Sequence, residues 1–326
     1  MATSRRSTST FNRGCSVATD SASLSGLLAC NKPIGITSRD CVNQVERLLR
    51  SRYPKPARSP KVGHAGTLDP LATGVLVMGI GAGVRLVPYV QQMAKHYQAT
   101  FRLGWWSESG DLADEVHKVE SATVPSLAEL QLAAQSLTGE ITQRPPSTSA
   151  IKVGGKKAYK YAHQGIAVVV PTRIVRVDSI SVTRYAYPEV DLSIVCGGGT
   201  YVRTLGMDLA LACQTRSVMT QLTRTRIGEF AIDDCLSLDA LTDRSFDRYL
   251  SPLSVAVSHL PRLDLTEAQI VKVATGIKIP ESEMPPLSPL NAVEATVVDP
   301  LGGLRAICRR SGNLWCPYRV FHDQVS

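Results

Sequence analysis

Hydrophobic and polar positions change their period several times along the chain, and each change predicts an element. The apolar run 27–30 predicts a strand, closed by a turn at Lys32-Pro33-Ile34-Gly35. Ser38 is placed to cap a helix whose apolar positions are Val42, Val45, Leu48 and Leu49. Residues 75–80 suit a buried strand, and 97–103 alternate as a half-buried strand does. Ser126 with Glu129 three residues later forms a capping-box pattern, opening a helix with an apolar face of Leu130, Ala133, Ala134 and Leu137. Strand-like runs at 167–171, 174–183 and 190–196 lead to Gly197-Gly198-Gly199. Residues 201–213 then return to helical spacing, with Val202, Leu205 and Leu209 inward. Strands mixed with a few helices, without regular alternation, predict an α+β fold on a mixed, largely antiparallel sheet.

The two ends differ from this middle. Residues 1–24 are rich in Ser and Thr, carry Arg5, Arg6 and Arg13, and show no period, which predicts a disordered tail. The same composition is also compatible with an organelle transit peptide. From about 250 onward Pro252, Pro261, Pro280, Pro285, Pro286 and Pro289 punctuate short segments, with strands expected at 291–298 and 304–309. The expected division is therefore a tail (1–24), a large α+β domain (25–250) and a small β-rich domain (251–326). No segment reaches the roughly 20 apolar residues of a membrane helix, so no membrane association is expected.

Composition narrows the chemistry. Of 326 residues, 36 are Lys or Arg and 28 Asp or Glu, a formal net charge of +8 that favours a polyanionic partner. The basic residues gather at 52–61, 152–160 and 216–226. Eight cysteines without a C-x-x-C pair fit reduced thiols of a cytosolic protein better than a zinc site or a disulfide scaffold. The six histidines are scattered. Gly79-Ile80-Gly81-Ala82-Gly83 has Val84 where a dinucleotide fingerprint needs its third glycine, so a buried glycine-rich strand or bend is expected instead of an oxidoreductase loop.

Two segments concentrate reactive groups. Residues 63–74 place His64 and Asp69 among three glycines, with Pro70 rigidifying the residue after the acid. An Asp held in this way can serve as a nucleophile or proton acceptor, or simply form an Asp-Pro turn. At Gly199-Thr200-Tyr201-Val202-Arg203 a Tyr and an Arg open a helix, suited to stacking on a base and pairing with a carboxylate or phosphate.

The segment GHAGTLDPLATGVL, from Gly63 to Leu76, closely resembles the catalytic motif of the TruB family of pseudouridine synthases. Asn31-Lys32-Pro33-Ile34-Gly35 is similar to that family's K-P-x-G motif, Lys95-His96-Tyr97 to its Tyr-bearing strand, and residues 197–204 to its G-T-Y-[IV]-R segment. Pro145-Pro146, Ser149-Ala150-Ile151-Lys152 and Gly155-Lys156-Lys157-Ala158-Tyr159 match a further block. The blocks keep their order from about 25 to 230, and the stretch after 260 looks, more loosely, like a PUA-type RNA-binding domain.

This resemblance implies a cofactor-free and metal-free isomerisation of uridine to pseudouridine at position 55 in the T-loop of tRNA. Asp69 would be the essential carboxylate, attacking C1′ or removing the 2′-proton, and Arg203 would pair with it. Tyr97 would stack on the uracil, with Tyr201 and Leu222 lining the base pocket. His64 would lie beside the RNA backbone near the flipped nucleotide, and Lys32 and Pro33 would buttress the site. The implied partner is the tRNA T-arm, with no obligatory protein partner, for a cytoplasmic monomer of the stand-alone bacterial type. The sequence departs from the family pattern at Thr148, at His163 and at Ser107-Glu108-Ser109-Gly110-Asp111. These are expected to be pocket-rim or scaffold positions.

Overall fold

The computed structural model describes residues 24–53, 59–146, 170–242, 246–284, 287 and 291–321, together with the backbone of 152–153 and 156–157. The N-terminal tail, residues 54–58, Thr148, His163 and most of the 149–159 block lie outside them.

The large sheet is built from β1 (Gly26–Lys32), the short β2 (Val62–His64), β3 (Ala72–Ile80), β4 (Lys95–Leu103), β5 (Gly139–Gln143), β6 (Arg173–Ala186), β7 (Glu189–Cys196), β8 (Ser217–Ile227) and β9 (Leu236–Ser237). Its spatial order is β9-β1-β3-β8-β4-β7-β6-β5, with β2 added beside β3. The β1–β9 and β3–β8 pairings are parallel and the rest along this path antiparallel, so the fold is α+β on a mixed sheet, as the strand pattern predicts. Strand β4 shows why: its inward positions Lys95, Tyr97, Ala99, Phe101 and Leu103 are buried, and the alternate ones are not.

Helices cover this sheet and shape the ends of its strands. Helix α1 (Ser38–Arg52) buries Cys41, Val42, Val45 and Leu49 against β1 and β3. Its N-cap is Thr37 and not Ser38: Thr37 accepts from Asp40 N while the Asp40 carboxylate accepts from Thr37 N. Ser38 is buried and engaged elsewhere. Helix α2 (Val87–Gln92) follows a 3-10 turn at Gly81–Leu86, so the glycine-rich segment is the end of a strand and a bend. Helix α3 (Leu127–Ser136) carries the capping box at Ser126 and Glu129 that its sequence predicts. Of the run expected at 167–171, the described residues Val170 and Pro171 are not in a strand.

Helix α4 (Val202–Ala212) lies directly on β4. At Gly206 an added Cβ would fall 1.9 Å from Phe101 Cε1, and Phe101 is itself almost fully buried. Gly206→Ala is therefore expected to destabilise the fold by about 1–3 kcal/mol in urea unfolding: overpacking of that size exceeds the helix-propensity gain of about 1 kcal/mol. Because Arg203 sits one turn earlier, the substitution should also slow turnover. A variant as stable and as active as the parent would show that the close approach is dispensable.

A second sheet at the C-terminal end has β10 (Ile279–Pro280), β11 (Glu294–Val298), β12 (Leu304–Ser311) and β13 (Leu314–Val320) in the order β10-β13-β12-β11. Helix α5 (Glu267–Ala274) covers it through Val273, with Trp315 buried in the same cluster. Leu304, Ile307 and Phe321 of this region pack with Leu27 and Val75 of the large sheet and with Tyr89 of α2. Among the described residues no helix is long and apolar enough to cross a membrane.

Candidate active site

The segment 65–71 leaves β2, crosses the end of the sheet and enters β3. Its backbone is tied at successive residues. Arg224 Nη2 donates to Gly66 O at 3.2 Å. Ser38 Oγ accepts from Leu68 N at 2.8 Å and donates to Leu68 O at 3.1 Å. Ala72 N donates to Asp69 O at 3.0 Å, and Gly35 N to Pro70 O at 2.8 Å. Lys32 Nζ donates to Pro33 O (2.9 Å) and Ile36 O (2.7 Å), with Pro70 O at 3.5 Å. Lys32 is fully buried, so its ammonium holds the turn beneath Asp69 and does not face the cavity. Burial drives it below the ordinary lysine value, against the opposing pull of Cys41 and Asp69.

Register brings the remaining groups to this segment. On the parallel β3–β8 ladder Leu222 stands opposite Ala72, three residues past Asp69. On the antiparallel β4–β8 ladder Leu222 pairs with Ala99 and Arg224 with Tyr97. Gly74, at φ +104°, allows the Arg224 backbone to come within 2.2 Å of where a Cβ would stand, a place no other residue could take. Arg224 is buried, its Nε donating to Val75 O at 2.8 Å. It is therefore not a surface charge of the 216–226 stretch, although Arg216 and Arg226 are exposed. Arg52, in the basic stretch 52–61, is paired with Asp247 at 2.8 Å.

Tyr201 ends the loop before α4, and its backbone is gripped by the buried Gln143 at the end of β5. Gln143 Oε1 accepts from Tyr201 N (2.7 Å) and Gln143 Nε2 donates to Tyr201 O (3.0 Å). This fixes the first turn of α4, where the buried Arg203 projects into the site. Its Nη2 lies 3.1 Å from Asp69 Oδ2, and its Nη1 lies 3.0 Å from Asp111 Oδ2 and 3.0 Å from Ser109 O. Asp111 is buried. Its other oxygen, Oδ1, accepts from Ser109 Oγ at 2.8 Å and Ala113 N at 2.9 Å. Of the two expectations for the segment 107–111, pocket rim or scaffold, the geometry is that of a scaffold. It supplies a buried carboxylate that anchors the guanidinium holding Asp69.

One cavity of about 630 Å³ collects these groups. Asp69, Tyr97, Tyr201, Arg203 and Leu222 line it, along with Lys95 and Arg224. His64 and Lys32 do not, and His64 sits on β2. Tyr97 is 8% exposed, and burial pushes its phenol above the ordinary tyrosine value, against the pull of Arg224. Tyr97 is therefore a neutral ring at physiological pH. Lys95 is brought down to about 8 by burial and then by Arg224, while its Nζ donates to backbone carbonyls of 90, 91 and 93 at the end of α2. Among the described residues no cluster of His, Cys, Asp and Glu could hold a metal ion.

The sequence alone does not single out Asp111, Arg224, Gln143 and Ser38 as site residues. Their signal lies in tertiary contacts, except that Asp111 falls in a segment that departs from the family pattern.

A model of the N-terminal domain of the TruB family pseudouridylate synthases matches residues 54–202. The protein named tRNA pseudouridine synthase B of Rhodopirellula baltica is 38% identical over 330 residues, covering 91% of this chain and 94% of its own. Proteins of the same name from Synechocystis (39% identical, 74% of this chain, 80% of the relative) and Bacillus pumilus (35%, 79% and 84%) are similar over shorter spans. Among solved structures, a Cbf5-Nop10-Gar1 complex superposes with TM-score 0.69 at 23% identity, covering 91% of this chain and 85% of that one. An archaeal box H/ACA sRNP Nop10-Cbf5 complex does so with TM-score 0.63 at 21% identity, over 91% and 86%. The structural likenesses bear on the fold; identity to the curated relatives over most of their length places the chain in the TruB family of pseudouridylate synthases.

Proposed function

We propose that this protein isomerises uridine 55 in the T-loop of tRNA to pseudouridine, with Asp69 as the reacting carboxylate. The observation that carries this is the Asp69–Arg203–Asp111 chain at the wall of a cavity that also presents Tyr97, Tyr201 and Leu222. The reaction breaks C1′–N1, turns the uracil and joins C1′ to C5, and the proton displaced from C5 is balanced by one gained at N1. Nothing enters or leaves overall, so a held base and one carboxylate beside the sugar are the groups it demands. Hydrolytic glycosidases need two reacting carboxylates. Here the second one, Asp111, is buried behind Arg203 and holds that guanidinium in place.

Asp69 serves by attacking C1′ or by taking the 2′-proton; either route needs the carboxylate fixed against the ribose, as Arg203 Nη2 fixes it. The target base lies in a folded loop and must leave its stack to reach the cavity. Tyr97 offers the detached uracil a ring to stack on, and the apolar Leu222 closes the pocket beside it. Residues 25–250 form the catalytic unit in this proposal. Residues 251–326 add a PUA-like RNA-gripping unit, and the protein works as a cytoplasmic monomer without a protein partner.

Incubation of the purified protein with unmodified tRNA, with and without the T-loop uridine, tests this directly. Pseudouridine should map to position 55 in the first RNA and to no site in the second; modification elsewhere would overturn the assignment. Tyr97→Leu should lower single-turnover rate by more than about tenfold, in line with stacking worth ~1–3 kcal/mol, while Kd changes little. Equal losses in rate and affinity would mean that Tyr97 only binds.

A further inference from the structure

The cavity is larger than one uracil requires, a base scarcely bigger than the phenol of Tyr97. Besides the groups named above, it is lined by Gln91, Arg173, Gly198 and Thr200. Four cations, Lys95, Arg173, Arg203 and Arg224, line the cavity as a whole against the single carboxylate of Asp69. Three of the four have their donors committed: Lys95 to carbonyls at the end of α2, Arg203 to Asp69, Asp111 and Ser109, and Arg224 to Val75 and Gly66.

Arg173 differs. It opens β6, opposite Gln143 on β5, the residue that grips Tyr201. Its guanidinium carbon lies 4.8 Å from the centre of the Tyr201 ring, and both terminal nitrogens lie 3.3–3.4 Å from where a Gly199 side chain would begin. The fork is thus held between an aromatic face and a bare backbone. Its Nε is buried and, among the described residues, has no hydrogen-bond partner.

We infer that Arg173 binds a phosphodiester adjoining the target uridine, and that Tyr201 and Gly199 aim its fork at that phosphate. This rests on the proposed substrate being a polynucleotide: when one base occupies the pocket beside Tyr201, its neighbouring backbone phosphates come within reach of the other groups that line the cavity, Arg173 among them. A guanidinium fork matches two phosphate oxygens, and the excess positive charge of the cavity lining suits that ligand. Arg173 is then a positioning residue for the reaction, setting where the ribose sits relative to Asp69.

The test uses T-arm RNA hairpins containing the target uridine, each with one neutral methylphosphonate at the linkage on its 5′ or 3′ side. One of the two neutral linkages should weaken binding to the unaltered protein about tenfold and change binding to Arg173→Gln less than about twofold, since the lost contact is a charge-assisted one. The slope of log K against log salt should fall by about 0.7–0.9 in Arg173→Gln, the amount for one phosphate. Arg173→Lys, which keeps the charge without the fork, should bind between the two and guards against a folding defect. Overturning results are a linkage effect of equal size in the unaltered and Arg173→Gln proteins, or no effect in the unaltered protein. Conversion of the all-phosphate hairpin is measured in parallel. No pseudouridine there would sink the proposed function, whereas normal conversion without a linkage effect sinks only the role of Arg173.

Discussion

Replacing Asp69 with Asn is expected to reduce pseudouridine formation by about 10⁴-fold or more, with tRNA binding and folding intact. The magnitude follows from removing the group that does the covalent or proton-transfer work, with only binding and orientation left. The fold should survive because 65–71 is held through its backbone, by Ser38, Lys32, Gly35 and Arg224, and none of those bonds involves the carboxylate. Asn also keeps an oxygen that can accept from Arg203 Nη2. Single-turnover assays on unmodified tRNA, paired with filter binding and urea unfolding, separate the three effects. Turnover within tenfold of the parent would remove Asp69 from the chemistry.

The second large effect is expected at Arg203. It joins two carboxylates and a carbonyl through two nitrogens, Nη2 to Asp69 and Nη1 to Asp111 and Ser109. A lysine has one nitrogen and no planar fork, so Arg203→Lys can keep one carboxylate or the other. Rate should fall at least about a hundredfold, since a misplacement near 1 Å costs that much in an oriented reaction. Arg203→Met strips the buried Asp111 of its cation and should destabilise the protein by about 3–5 kcal/mol. Adding Asp111→Asn to Arg203→Met should restore much of that stability without restoring turnover. Recovery of both together, or of neither, would contradict the division of labour in which Asp111 anchors Arg203 and Arg203 presents Asp69.

Local pattern carries much of the fold. The Ser126 and Glu129 capping box and the alternation of β4 are legible because their cause lies within a few residues. Ser38 shows the limit: by type and position it suits a cap, yet Thr37 takes that role. The register of α1 turns the Ser38 hydroxyl toward Leu68, thirty positions away. Asp69, Tyr97, Tyr201 and Arg203 can be named because their motifs are contiguous, whereas Leu222 follows only from the family resemblance. Asp111 and Arg224 cannot be named, since an ion pair between α4 and the loop segment 107–111 and a guanidinium beside the parallel β3–β8 ladder exist only once these distant stretches have come together. Charge counting also misleads at Arg224, which contributes to net charge but offers nothing to the surface.

The tethering of 65–71 bears on where motion must occur in the catalytic cycle. Its carbonyls and amides answer to β1, α1 and β8, and its carboxylate to α4, so shifting Asp69 by even an ångström would break bonds to several core elements at once. An acid so thoroughly preorganised has little reorganisation left to contribute as the substrate arrives. In the reaction proposed above, the waiting time before chemistry then belongs to the nucleic acid: the loop that carries the uridine must open, and the enzyme receives the base much as a jig receives a workpiece. Substitutions that loosen that RNA loop should consequently speed the approach to chemistry, while those that loosen the tethered protein segment should slow it.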